Sequence, residues 1–266
     1  MVQALHSSLE TGTPVWRRGL CPLIMAGDPD LDCTQALLER CIALGVPMVE
    51  LCLPFRNAFT DGETLQKAHA RGLHDEASLE DYFDLIASVS DRIRVVLLAD
   101  SSHTLRPHGL NRVLQGAARA GAAGVLPHGL PPRMAVPFHA AAMAAGLAVV
   151  GTIYANARVE TRQAVLQRAT AFIYLVTSYG RSGGAADPEA LQNQIEALRS
   201  HTDLPVALGF GLRTPENVAQ AFAAGCDIAI VGSAISGEIE AALAAGEDPV
   251  RRAGDFIGAL QDRCPR

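Results

Sequence analysis

The stretch Val49-Glu50-Leu51-Cys52-Leu53-Pro54-Phe55 ends an apolar run with one carboxylate, and Thr60-Asp61-Gly62 supplies a second in the segment that follows. Two acids leaving one buried strand toward a common rim can divide proton transfer between them, because an apolar floor disfavours the charged form and displaces the pKa. The spacing alone also fits a paired core carboxylate at Glu50 and an ordinary turn at Asp61-Gly62. Other chemistry-bearing residues close apolar runs in the same way: Asp100-Ser101-Ser102-His103 and His128-Gly129. Glycines gather at Gly180–Gly184, at Gly209-Phe210-Gly211 and at Gly232-Ser233-Ala234.

The elements that must position these residues are short β-type runs separated by helical segments. The runs are Pro22–Ala26, Met48–Leu53, Arg94–Ala99, Gly124–Pro127, Ala148–Ile153, Phe172–Thr177, Pro205–Gly209 and Ile228–Val231. Between them, Thr34–Leu44 and Leu191–Leu198 carry apolar residues at helical spacing. Ser78 before Leu79-Glu80-Asp81 and Thr214 before Pro215-Glu216-Asn217 read as helix caps. Alternation of eight strands with helices and no break in composition predicts an α/β chain forming a single parallel (β/α)8 barrel, the TIM-barrel arrangement. A doubly wound open sheet is the alternative, with fewer strands as a rule. The expected layout is an N-terminal helical segment over 1–18, the barrel over 22–243 and a C-terminal helix over 247–266.

In such a barrel chemistry sits at the carboxyl ends of the strands, which collects Glu50, Asp100, His128 and the glycine clusters on one rim. Bare backbone N–H groups after the last two strands, with a helix start beside them, suit a phosphate, and glycine permits the close approach.

Composition narrows the function classes. A net charge of -6 argues against a nucleic-acid surface, and no basic run seeks an anionic membrane. The apolar stretches are too short or too interrupted to span a bilayer. Residues Met1 to Glu10 lack the basic and apolar blocks of a secretory signal. The cysteines Cys21, Cys33, Cys41, Cys52, Cys226 and Cys264 show no metal-type spacing and suit a reducing cytoplasm. Lys67 is the sole lysine and falls at a helix start rather than a strand end, so a lysine Schiff base is rejected. No cofactor is expected. A divalent-metal site from Glu50, Asp100, His103 and His128 has no contiguous ligand spacing behind it.

Taken in order, Gly27-Asp28-Pro29, Glu50-Leu51, Pro54-Phe55, Asp61-Gly62, Tyr174-Leu175, Gly209-Phe210-Gly211, Thr214-Pro215-Glu216 and Gly232-Ser233-Ala234 resemble the tryptophan synthase α subunit family. The resemblance runs from about Pro22 to Leu243. It implies a barrel that cleaves indole-3-glycerol phosphate to indole and glyceraldehyde 3-phosphate without metal or Schiff base. It also implies Glu50 as the catalytic acid–base residue and Asp61 as the anchor of the indole N–H. Tyr174 falls among the substrate-binding positions, and the phosphate-binding positions fall on Gly183, Gly211, Gly232 and Ser233.

The chain departs from the family pattern on the rim. Arg56-Asn57-Ala58 stand where Ser-Asp-Pro is usual, Glu63 stands where a proline follows Asp-Gly, and Asp100 replaces a tyrosine. Ser102 stands for an asparagine, His128-Gly129 for Ala-Asp, and Ser178-Tyr179 for Arg-Ser. Asp100 can approach Glu50 and raise one of the two pKa values, bind a cation, pair with Arg56, or simply face solvent. His128 can serve as acid, base or ligand, or be structural. These changes touch loops that in the family meet the β subunit, so weak or absent β-subunit binding is expected. The expected function is retro-aldol cleavage of indole-3-glycerol phosphate or a close analogue. A lyase acting on another phosphorylated substrate, with Asp100, His128 and Arg56 lining the pocket, is one alternative. A non-catalytic phosphate-binding regulatory subunit is the other.

Overall fold

The computed structural model describes residues 16, 18–74, 76–176, 188–209 and 211–265. The strands are β1 (Gly19–Met25), β2 (Met48–Cys52), β3 (Arg94–Asp100), β4 (Gly124–His128), β5 (Ala148–Val149), β6 (Gly151–Tyr154), β7 (Ile173–Val176), β8 (Val206–Leu208) and β9 (Ile228–Val231). All pair in parallel, in the order β5-β4-β3-β2-β1-β9-β8-β7-β6. The two ends of that order are consecutive pieces of the fifth expected strand. Val150 N–H donates to Val125 O and Gly151 N–H to Phe172 O, each at 3.0 Å, so the backbone changes partner between adjacent residues and closes the ring. The architecture is the TIM barrel expected from the strand count.

Strand bounds moved little. Ile228–Val231 is found as expected, whereas the first strand begins three residues early because Gly19–Cys21 pair with β9 ahead of Pro22. Helices cover the outside, among them Leu31–Ala43, Glu63–Gly72, Leu79–Val89, Pro188–Arg199, Pro215–Ala223, Ser233–Ala245 and Pro249–Gln261. The expected caps are made: Ser78 and Asp81 form a reciprocal capping box, and the Thr214 hydroxyl accepts from Asn217 N–H. The N-terminal helix expected over 1–18 lies outside the described residues, apart from Trp16 and Arg18.

Side-chain alternation divides the strands into two faces. Val49, Leu51, Val95, Leu97, Ile153, Ile173, Leu175, Val206 and Leu208 face the helices and join the larger apolar cluster. Cys21, Met25, Met48, Cys52, Val96, Leu98, Leu126, Phe172, Ala207, Ile228 and Ile230 fill the barrel. Each fully buried aliphatic or aromatic side chain contributes about 1.5–3 kcal/mol, so both faces favour the same register. Trp16 meets Phe172 edge-on, with ring centroids 5.4 Å apart, at the end of the barrel where β7 begins. The inward phase continues to the opposite rim, where it reaches Glu50, Asp100, His128, Tyr154, Tyr174, Gly209 and Gly232. The alternation that packs the barrel therefore also aims the polar residues at its axis.

Candidate active site

Glu50 shares the inward phase of Met48 and Cys52 and is wholly buried. Its register partners are Leu23 on β1 and Val96 on β3, so its walls are apolar. Neither carboxylate oxygen has a hydrogen-bond partner among the described residues. Burial without a partner disfavours the charged form and pushes the Glu50 pKa up to about 8. The group can thus hold a proton at neutral pH and release it with little driving force.

Asp61 is held differently. The loop after β2 leads into the helix Glu63–Gly72, which returns His69 to the loop. Phe55 N–H donates to His69 Nδ1 at 3.1 Å, and His69 Nε2 lies 3.0 Å from Asp61 Oδ2. Asp61 N–H donates to Ala58 O at 3.0 Å, and Gln66 Nε2 donates to Asp61 O at 2.7 Å. The helix itself is tied to the end of β1, where Arg71 makes a bidentate pair with buried Asp28 at 2.6 and 2.9 Å. Burial pushes the Asp28 pKa up, against the lowering effect of Arg71. Gly72 allows the closest contact: a Cβ there would lie 2.6 Å from Ala26 O.

Asp100 ends β3, in register with His128 at the end of β4. One oxygen meets His128 Nδ1 at 3.0 Å. The other meets His103 Nδ1 at 2.8 Å and accepts from Ser102 N–H and His103 N–H at 2.9 and 2.8 Å, capping the short π-helical turn Ser101–Leu105. Burial raises the Asp100 pKa, but the bonds from both histidines and the two backbone N–H groups outweigh it and hold the carboxyl well below its usual range. Asp100 in turn raises the pKa of His128, against desolvation. The Phe55 ring packs against His69, His103 and His128, with centroids 4.3, 5.3 and 5.8 Å away.

Of the placements open to Asp100 from sequence, solvent exposure and pairing with Arg56 are not what the structure shows: Asp100 is buried and its bonds go to the two histidines. Nor does Asp100 set the Glu50 pKa, whose cause is burial. Arg56 is exposed beside an outer cleft of about 300 Å³ that Leu53, Phe55, Tyr82 and His103 also line. Asp100, His103 and His128 come together without Glu50. Among the described residues no group of three or more His, Cys, Asp or Glu side chains is placed to hold a metal ion.

Across the barrel the rim is built from backbone. Gly211 has φ +84°, a conformation glycine adopts without strain. Gly232 precedes the helix Ser233–Ala245, whose first turn carries no acid, and both Gly232 and Ser233 are half-exposed. A Cβ on Gly209 would lie 2.2 Å from Tyr174 Oη, so this glycine makes room for the tyrosine. Gly183, Phe210 and the Ser178-Tyr179 pair lie outside the described residues.

Sequence reasoning missed His69. A histidine eight residues past Asp61 on a helix gives no sign that the loop folds back to it, and only the Phe55 N–H contact exposes the connection.

Comparison with known proteins agrees with this geometry. A family model described as tryptophan synthase alpha chain matches residues 14–264. The tryptophan synthase alpha chain of Geobacter sulfurreducens is 34% identical over 248 residues, covering 92% of this chain and 93% of that protein. That of Caulobacter vibrioides is 34% identical over 235 residues, covering 87% and 85%. The crystal structure of tryptophan synthase subunit alpha from Legionella pneumophila superposes with a TM-score of 0.84 at 25% identity, covering 98% of this chain and 95% of that one. By the family match along nearly its whole length and by its barrel, the chain belongs to the tryptophan synthase alpha chain family.

Proposed function

We propose that Glu50 and Asp61 carry the family's lyase reaction in this chain, cleaving indole-3-glycerol phosphate to indole and glyceraldehyde 3-phosphate. The observation that supports this most is Glu50: a wholly buried carboxyl aimed at the barrel axis, without a hydrogen-bond partner among the described residues, its pKa pushed up to about 8. Protonated Glu50 delivers its proton to the ring carbon that bears the side chain, and Asp61 stabilises the positive charge that develops on the ring N–H. The Glu50 carboxylate then takes the proton of the adjacent side-chain hydroxyl. The carbon–carbon bond breaks, its electrons restore the aromatic ring, and the former alcohol leaves as the aldehyde. One proton has moved from oxygen to carbon, and Glu50 ends as it began. A carboxyl whose pKa lies near the working pH suits both halves of this cycle.

The phosphate is assigned to Gly211, Gly232 and Ser233, with Gly183 from the loop after β7. Support comes from the uncapped start of the helix Ser233–Ala245, whose free N–H groups and dipole favour an anion. Tyr174 lies with its hydroxyl against Gly209 on the neighbouring strand, and its phenol pKa is raised by desolvation and then by Glu50. Asp100 and His128 take the place of a neutral wall. Asp100 is bonded to His128 and His103 rather than to Glu50, so its charge is held within that cluster.

The purified chain incubated alone with indole-3-glycerol phosphate is expected to release indole; no release at any enzyme concentration overturns the assignment. The family name implies a β chain as partner. Weak or absent binding is proposed, supported by the altered rim loop, in which exposed Arg56 and Asn57 stand where Ser-Asp is usual. A stable complex with an ordinary β chain on gel filtration contradicts that.

A further inference from the structure

We infer that His69 is a positioning residue that aims Asp61 at the ring N–H of the substrate, an inference that rests on the role proposed above for Asp61. A backbone N–H can only donate, so the 3.1 Å contact from Phe55 makes His69 Nδ1 the acceptor and leaves the proton of the neutral imidazole on Nε2. That N–H then donates to Asp61 Oδ2 at 3.0 Å. Among the described residues no hydrogen bond is made to Asp61 Oδ1. One carboxylate oxygen is therefore committed to the protein, and the other is left for a donor from the substrate.

The imidazole is well placed to hold this geometry. It is 3% exposed, it packs under the Phe55 ring, and its helix is tied to β1 by the Arg71–Asp28 pair. Asp61 itself sits in a loop and is about a quarter exposed, so without the Nε2–H bond its carboxylate is free to rotate toward water. The arrangement has the form of an acid oriented by a histidine whose tautomer a backbone group selects. A buried histidine can instead merely join helix to loop, and the two amide substitutions separate these roles. Asparagine places its amide where Nδ1 was and can accept from Phe55, but it does not reach Asp61. Glutamine reaches the Nε2 position and can donate to Asp61.

The test compares His69→Asn, His69→Gln and the parent chain in cleavage of indole-3-glycerol phosphate, with thermal unfolding of each. His69→Asn is expected to lower kcat/KM by roughly ten- to a hundredfold, the range of one lost charge-assisted hydrogen bond, with near-parental unfolding. His69→Gln should stay within about threefold of the parent, because it keeps the donor. On a substrate methylated at the ring nitrogen, which gives Asp61 nothing to accept, the His69→Asn deficit should shrink to about twofold or less. Equal activities of the two variants, or an undiminished deficit on the methylated ring, overturn the positioning role. A parent chain that neither cleaves the substrate nor binds an indole joined to phosphate by a saturated, hydroxyl-free linker overturns the role of Asp61 and this inference with it.

Discussion

Glu50 and Asp100 lie on neighbouring strands, share the inward phase of the barrel and are both buried, yet their protonation is pushed in opposite directions. Glu50 sits below the rim between Leu23 and Val96 and has no hydrogen-bond partner among the described residues. Asp100, four residues beyond Val96 along β3 and so at the rim itself, accepts from two imidazoles and two backbone N–H groups. Burial raises the pKa of both, more for the deeper Glu50, and alone it would push them in the same direction. What separates them is whether the protein supplies donors to replace the water that folding removed. The unpartnered acid is left reactive; the partnered one becomes part of the scaffold.

The largest expected effect follows from taking the carboxyl from Glu50. Glu50→Gln should lower indole release by about a thousandfold or more, within the span a positioned acid–base group contributes. It should also remove a pH dependence of stability. The carboxyl titrates near its ordinary 4.5 when unfolded and at about 8 when folded. Between those values the native state holds the extra proton, so stability falls as pH rises through that window and levels off above it. The penalty at the high end is on the order of 5 kcal/mol, an upper figure for a group this buried. Urea unfolding at several pH values from 5 to 9 should show the slope in the parent chain and lose most of it in Glu50→Gln. A variant with an unchanged slope places the titrating group elsewhere. Because the reactive form of free Glu50 is the acid, kcat/KM should decline above about pH 8 in the parent.

Asp100→Asn attacks the other half of the comparison, with a smaller effect. It removes the charge from a set of hydrogen bonds and should cost about 1–3 kcal/mol at pH 6. Signs follow from the two directions of shift. The depressed Asp100 contributes stability above its ordinary range near 3.8, and that contribution is lost as pH falls. The raised His128 contributes below its ordinary 6.5, and that contribution is lost as pH rises through its folded value. The deficit should therefore be largest in the mildly acidic window between these limits. Proton NMR of the His128 ring should show a pKa above 6.5 in the parent that drops in Asp100→Asn. An unmoved titration would falsify the pairing.

Most of the framework is legible in the sequence. The β2 run, its phase and its acid could be read because a strand buried on both faces must be apolar throughout, so a lone Glu50 in it is conspicuous. The glycine corner could be expected at one rim because barrel rims follow from strand ends, whereas Tyr174 rested on the family resemblance alone. The partners of Asp100 were not legible: His103 and His128 were both noted as candidate ligands, but pairing across β3 and β4 depends on register, and a local pattern does not carry register. His69 was hidden for the same reason. Its contact with Asp61 is made by a loop folding back, which depends on the packing of Gly72 against Ala26 and of Arg71 on Asp28. The break at Val150 was equally invisible, since the strand continues in sequence while its hydrogen bonds change sides.

The smallest expected effect tests whether charge without burial can do what the buried pairs do. Arg56 lines the same outer cleft as His103 and carries a full positive charge, yet it is exposed and a pairing with Asp100 is not formed. An exposed charge interacts through water, where screening leaves about 1 kcal/mol or less even for a close pair. Arg56→Ala should accordingly change stability by no more than about 0.5 kcal/mol, alter indole release by the isolated chain less than about twofold, and leave the His128 titration where it was. If the substitution instead raised the His128 pKa, as loss of a coupled cation would, or weakened catalysis tenfold, the rim would have to be treated as one coupled electrostatic field, and the contrast between a partnered Asp100 and an unpartnered Glu50 would no longer account for their opposite behaviour. A null effect localises the cause to the hydrogen bonds at 2.8 to 3.0 Å around Asp100 and to their absence at Glu50.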